Sequence, residues 1–221
     1  MYRVIVSVDP KIIGAKDGSS LIITDAFSLN SYKAISSVLN VKDDLILDCF
    51  KFVDKAKQID VLSCANNYNT SGIIVSDKVR VILEKYNLHS TQFIPCVLHK
   101  NGSKISGFSL LHCYSYLLDK IDYDRTTFSR IWPFPKEIEE SYGYINENKF
   151  KEEITKCIGR VAYVSPDSGY YFKDFDLNNF DLFKVGYAEN FLYFSERLKR
   201  DLEFNKVIGF EYLQIGNYFN L

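Results

Sequence analysis

Apolar positions change period several times along the chain, and those changes divide it into elements. Tyr2–Val8 alternates apolar and polar side chains, as a half-buried strand does. Ile12-Ile13 and Leu21–Thr24 flank Asp17-Gly18, a dipeptide suited to a tight turn, so the opening segment reads as a hairpin region. The stretch 26–60 is ambiguous: Asp25 can cap a helix running through Leu39, and Phe50–Lys57 fits either period. Ser63–Gly72 is polar and reads as a loop.

The middle is clearer. Ile73–Val75 reads as a short strand, after which Ser76 supplies an N-cap and Asp77 an acid beside the helix's positive end. Val79, Ile82, Leu83 and Tyr86 follow at helical spacing. Phe93–His99 and Ile105–Leu117 are strand-like runs across Asn101-Gly102, a strong hairpin signal. Trp132-Pro-Phe-Pro135 breaks the chain before Lys136–Tyr142, which reads as a short helix. Phe150, Ile154, Cys157 and Ile158 stripe one face of a helix that Gly159 can end. Strand-like pieces follow at Val161–Val164, Tyr170–Phe172, Phe183–Val185 and Leu192–Phe194; a last helix starts at Ser195, and Gly209–Ile215 is a final strand.

This inventory predicts an α+β fold of mixed, largely antiparallel sheets with several short amphipathic helices. It also contains an echo. Val75-Ser-Asp-Lys-Val-Arg-Val-Ile-Leu-Glu84 parallels Phe194-Ser-Glu-Arg-Leu-Lys-Arg-Asp-Leu-Glu203, with Ser76/Ser195, Leu83/Leu202 and Glu84/Glu203 identical. Any capped helix can give this pattern; two related strand-helix-strand units in one fold would give it as well.

Composition narrows the function classes. The 221 residues allow one large domain or two small ones. With 27 Lys and Arg against 28 Asp and Glu, the formal net charge is −1, without the basic excess that nucleic-acid binding usually needs. Hydrophobic residues at 47% and charged residues at 25% fit a folded globular chain rather than a disordered one. Sixteen Tyr, seventeen Phe and one Trp suit a ring-packed core with many strands, and amphipathic rings also suit a partner surface. The five cysteines are an odd number, widely spaced and free of any C-x-x-C, so they read as reduced core thiols. The start lacks the apolar block and cleavage site of a signal peptide, and Ile105–Leu118, the longest uncharged apolar run, falls short of the roughly 20 residues of a membrane span. The expectation is a cytoplasmic protein with neither a membrane nor a nucleic-acid partner.

Chemical motifs are sparse. G-x-G-x-x-G, G-x-x-x-x-G-K-[ST] and G-x-S-x-G are all missing from the sequence, and His89, His99 and His112 lie outside H-E-x-x-H. His112 and Cys113 are adjacent on a strand-like run and so point to opposite faces, which separates a base from its thiol. Asp174-Phe-Asp176-Leu-Asn178 begins like a calcium loop, but the sixth position is Asn179 and the twelfth Val185. No catalytic, cofactor or metal residue is therefore assigned. The partner-binding candidates are Asp167, Tyr170, Tyr171, Asp174, Asp176 and Asp181, set among Phe172, Phe175 and Phe180. They form either a solvated loop over a hydrophobic edge or an acidic-aromatic surface for a basic partner.

Phe180-Asp-Leu-Phe-Lys-Val-Gly186, Leu192-Tyr-Phe-Ser-Glu-Arg-Leu-Lys199 and Val207-Ile-Gly-Phe-Glu-Tyr212 together resemble the end of a bacterial immunity-protein family. That family was formerly catalogued as a domain of unknown function and is numbered eleven among polymorphic-toxin immunity proteins; family forty-three is a near neighbour. Ile74–Leu83, Phe93-Ile-Pro95 and Ile121-Asp122 also look like family members, so the similar region runs from about residue 71 to 221. Residues 1–70 carry no such resemblance and read as a possible N-terminal subregion of one immunity-type domain spanning 1–221. Family members often carry Arg where this chain has Lys184, which weakens a bidentate role there. The resemblance implies a non-enzymatic protein that binds a cognate toxin and occludes it stoichiometrically in the producing cell. A general interaction module and an enzyme of unidentified class are the alternatives.

Overall fold

The computed structural model describes residues 1–16, 18–23, 41, 45–63, 72–114, 117–133, 136–157, 162–173, 175–185, 191–215 and 219–220. In chain order come β1 (Tyr2–Val6), α1 (Pro10–Ile13), β2 (Leu21–Ile23), β3 (Leu47–Phe52), β4 (Val61–Leu62), β5 (Gly72–Ser76) and α2 (Asp77–Leu83). Next are β6 (Thr91–Lys100), β7 (Ser103–Cys113), β8 (Thr127–Pro133), β9 (Lys136–Tyr144), α3 (Glu147–Cys157) and β10 (Tyr163–Pro166). The chain closes through β11 (Tyr170–Tyr171), β12 (Leu182–Phe183), β13 (Leu192–Phe194), α4 (Glu196–Phe204), β14 (Phe210–Gln214) and β15 (Phe219–Asn220). The fold is α+β, and its strand pairs are mostly antiparallel.

The strands form a six-stranded sheet in the order β2-β3-β6-β7-β5-β4 and a four-stranded sheet in the order β12-β13-β1-β14. A three-stranded sheet β10-β8-β9 and the parallel pair β11-β15 complete the set. Strand alternation sorts the side chains among three cores. On the six-stranded sheet, Ile74 and Leu110 face a core with Ile13, Phe50 and Leu98, while Val75 and Leu111 face the opposite side. On the four-stranded sheet, Leu182, Leu192 and Phe194 share that second core with α2 and α4, while Phe183 and Tyr193 face a third, aromatic core. The residues before 64 belong to these same sheets: β1 is an inner strand of one, and β2, β3 and β4 lie in the other.

The echo in the sequence corresponds to a repeated arrangement. The run β4-β5-β7-β6 and the sheet β12-β13-β1-β14 have the same order, and every neighbouring pair in both is antiparallel. Register matches as well: Val61 lies opposite Val75 as Leu182 lies opposite Phe194. Ser76 and Ser195 then cap their helices with nearly the same geometry (φ −70°, ψ 160° and φ −68°, ψ 160°). Their hydroxyls accept from Val79 N at 3.4 Å and Leu198 N at 3.1 Å. Connectivity alone differs, because β7 follows β6 across Asn101-Gly102 whereas its counterpart β1 precedes everything else. The second unit is a circular permutation of the first.

A reciprocal clamp joins the units. Asp60 accepts from the Ser76 hydroxyl (3.1 Å) and from Ile208 N (3.0 Å), a backbone group just past α4. Asp181 accepts from the Ser195 hydroxyl (2.6 Å) and from Asn87 N (3.1 Å), just past α2. Each carboxylate thus holds its own unit's cap and the exit of the other unit's helix. Lys78 sits on Asp60 at 3.2 Å, and Arg197 grips both oxygens of Asp181. Burial opposes ionisation of Asp181, but Arg197, Ser195 and the Asn87 N–H outweigh it and hold its carboxyl below the usual range.

Several sequence expectations need correction. Ile12-Ile13 is not a hairpin arm but part of α1, which Asp9 caps through Lys11 N (2.8 Å) with Pro10 at the first turn. Instead, β1 pairs with β13 and β14, and β2 with β3; Asp17 lies outside the described residues. Lys136–Tyr142 is not helical but belongs to β9, because a full set of partners on β8 is in reach. The run from Ile105 ends its strand at Cys113, and Leu118–Lys120 forms a 3-10 turn. Residues 24–40 and 64–71, where the first helix and the polar loop were expected, lie outside the described residues.

The clamp gives a stability prediction. Asp181→Ala removes the buried acceptor of the Asn87 N–H, the Ser195 hydroxyl and Arg197, so urea denaturation should show a loss of roughly 2–4 kcal/mol. Ser195→Ala should cost about 1 kcal/mol, and the double variant less than the sum, since both changes act on one network. A cost for Asp181→Ala equal to that of an exposed aspartate would rule the clamp out.

Candidate functional site

The predicted partner-binding residues divide by location. Asp167 and Asp176 are exposed, and Tyr171 is half-buried. Tyr170 is 1% exposed in the aromatic core, stacked on Phe219 and edge-on to Phe128, both with ring centroids 6.3 Å away. Asp181 is 1% exposed and committed to the clamp. Asp174 lies outside the described residues. An acidic-aromatic stretch is therefore split by the fold: two carboxylates and one ring reach the surface, while one carboxylate and one ring are used inside.

Local pairing explains the split. β11 is held by Thr126, whose hydroxyl accepts from Tyr171 N at 3.1 Å, and by Tyr171 O, which accepts from Asp122 N at 2.8 Å. Tyr170 then faces inward and Tyr171 outward, where the Arg125 guanidinium lies 4.4 Å above its ring. Farther on, Asp176 caps the turn Leu177–Asn179 by accepting from Asn178 N at 2.9 Å. Phe175 and Phe180 stack at 5.4 Å, and both meet the edge of His89. Burial lowers the His89 pKa, so its imidazole is neutral at pH 7.

Beside this segment stands the β8-β9 hairpin, whose second strand contains the Lys136–Tyr142 stretch expected as a short helix. It exposes Ile138 and Tyr144, each 67% accessible, and carries exposed Glu137, Glu139 and Glu140. Two bulges in the β8-β9 register, one of them at Glu139, let Arg130 meet Glu139 at 3.0 Å and Glu140 at 2.6 Å. Behind it, Glu153 of α3 is 3% exposed and collects Lys149 (2.8 Å), Lys156 (2.7 Å) and the Tyr142 hydroxyl (2.9 Å). Burial works against its charge, but these three donors prevail and hold the carboxyl at about 2. The network fixes the hairpin to α3 and leaves an apolar and acidic outer surface. A concavity of about 340 Å³ lies at its base, lined by Tyr123, Tyr144, Glu147 and Lys173 among others.

His112, Cys113 and Lys184 are interior. His112 and Cys113 are both buried on β7. Burial pushes the Cys113 thiol up to about 12, with the nearby Lys184 charge pulling the other way, so Cys113 is a thiol at neutral pH. Lys184 is itself held down to about 8 by burial. Among the described residues, no group of three or more His, Cys, Asp or Glu is placed to hold a metal ion, and no helix is long and apolar enough to cross a membrane.

Sequence reasoning missed Asp60 and the Glu153 network. A signal for Asp60 was present, because Asp60-Val-Leu and Asp181-Leu-Phe precede the two echoed units alike. The Glu153 network is legible only in part: Lys149 and Lys156 stand four residues before and three after it on α3, whereas Tyr142 and Arg130 come from β9 and β8.

Glu153 and Asp181 make stability acid-sensitive. Both folded pKa values are lowered, so their contribution is complete above an unfolded value of roughly 4 and is lost as pH falls through the folded values, toward about 2 for Glu153. Thermal unfolding between pH 5 and pH 2 should show a shallower decline in Glu153→Gln than in the parent chain; equal slopes would contradict the assignment. No protein-family model matches the chain, and no curated protein matches it.

Proposed function

We propose that this is an immunity protein, which binds a cognate bacterial toxin in the cytoplasm of the producing cell and occludes it stoichiometrically, without catalysis. One observation supports the reading above others: the segments that carry the resemblance are contiguous in the fold. Phe180–Val185, Leu192–Lys199 and Val207–Tyr212 supply β12, β13, α4 and β14, while Ile74–Leu83 and Phe93–Pro95 supply the matching parts of the other unit. The resemblance therefore covers the capped helices of both units with several of their strands, while Asp60, β4 and β1 come from the part of the chain without it. A rigid core of this kind suits occlusion, because a preorganised surface loses little entropy on binding.

The outer side of the aromatic core is the surface that fits such a partner. Asp167, Asp176, Glu137, Glu139 and Glu140 are acidic and exposed, and the same segments carry exposed Ile138 and Tyr144 and half-buried Tyr171. Acid around rings favours a partner with basic groups at its functional groove, with charge speeding encounter and rings anchoring the complex.

Affinity capture of the tagged protein from cells expressing its neighbouring reading frames tests the proposal. The expected result is a near-stoichiometric partner that kills cells when expressed alone and fails to kill when this protein is present. Charge reversal at Asp167 and Asp176 should then weaken capture at least tenfold. A stable but harmless partner would make the protein a general interaction module, and expression of the neighbours with no partner would overturn the reading.

A further inference from the structure

Many basic side chains on the described surface have carboxylate partners: Lys78, Arg80, Lys104, Arg130, Lys149, Lys151, Lys156, Arg197, Lys199 and Arg200 all sit in ion pairs. Four that do not are gathered in one place. Lys51, Lys55, Lys57 and Lys100 line a single concavity of about 490 Å³, and among the described residues none of them pairs with a carboxylate. Asp54 is the one acidic residue in the lining, which leaves an excess of three positive charges in a chain whose net charge is −1.

The fold holds these charges together at a cost. Lys51 comes from β3 and Lys100 from the end of the adjacent β6; Asn101 and Gly102, in the left-handed turn, close one side. Lys55 stands in a left-handed conformation at φ 65°, which is unfavourable for a side chain bearing a Cβ. Gly14 packs so closely beneath the loop that an added Cβ would lie 2.5 Å from Lys55 O, which fixes the loop's position. Two of the ammonium groups are aimed by the backbone: Lys57 Nζ donates to Lys11 O at 2.7 Å and Lys100 Nζ to Ala56 O at 2.9 Å. Each retains further N–H donors. Like charges gathered in a concavity repel one another and focus a positive potential.

We propose that this concavity binds a compact oligophosphate, either free or as the phosphate chain of a nucleotide. The volume fits a small molecule, and several separate ammonium groups suit a ligand with two or more phosphates better than a single anion. Phe52, with Lys100 Nζ 5.0 Å from its ring centroid, gives the site an apolar floor. This inference is independent of the toxin-binding reading, since the concavity is built from segments outside the partner-binding candidates.

Titration of the isotope-labelled full chain with pyrophosphate, ADP and AMP, followed by amide NMR, tests it. Pyrophosphate and ADP should shift the amides of residues 51–57 and 100–102 saturably, and AMP much less. Equal affinity for the first two identifies the phosphates alone as the ligand; tighter ADP binding identifies a nucleotide. The variant Lys51→Gln/Lys55→Gln spares both ammonium groups tied to carbonyls, so it should keep its thermal midpoint and lose at least tenfold in affinity. Absence of saturable shifts at these residues, or unchanged affinity in that folded variant, would overturn the proposal.

Discussion

Two carboxylates in reciprocal positions, Asp60 and Asp181, set the relation between the halves of this protein. Each accepts the hydroxyl of one helix cap and a backbone N–H from beyond the other helix. A capping serine needs its own lone pair for the helix, so a donor hydrogen remains, and the aspartate takes it. The same contacts fix where each chain segment goes on leaving its helix, which brings α2 and α4 against one shared core of Val79, Ile82, Leu198 and Leu202. Hydrogen bonds to charged groups are stronger than neutral ones, and here they act where both sheets converge.

Charge elsewhere is distributed by purpose. The Arg130 and Glu153 network ties a hairpin to a helix, and it works because a buried carboxylate with three or four donors keeps its ionised form without a large net cost. That network lies behind an outer surface where glutamates and apolar side chains are left accessible. The lysine-lined concavity is a contrasting case, in which four like charges are gathered with Asp54 as the one acidic residue in the lining. One molecule thus carries an acidic surface and a basic pocket on different elements, despite a near-zero net charge.

What could be read from the sequence followed the range of the interactions involved. Ser76 and Ser195 were legible because a cap needs only the next three residues. The β6-β7 hairpin was legible because Asn101-Gly102 states its own turn. β9 was misread because Ile138 and Tyr142 fit a helical spacing, and nothing local announces that β8 will pair with it. The early hairpin failed for the same reason: the partners of β1 lie at 192–194 and 210–214. Within the candidate site, Asp167 and Asp176 reach the surface as an acidic loop suggests, whereas Tyr170 and Asp181 turn inward. A stretch rich in acid and aromatic residues looks the same whichever way its rings face, and only the pairing of β11 and the clamp decide it.

The permuted order of the second unit has a kinetic consequence. The first unit can assemble from nearly consecutive chain, because β5, α2, β6 and β7 follow one another. In the second, Tyr2 sits opposite Phe194 and Gln214, so a strand made early on the ribosome waits for the last helix and its flanking strands. Closing so long a loop is slow, and a nascent chain stopped before β13 leaves Val4 and its neighbours without a place in a sheet. Commitment to the finished molecule therefore comes late, when the first strand is enclosed between two of the last ones.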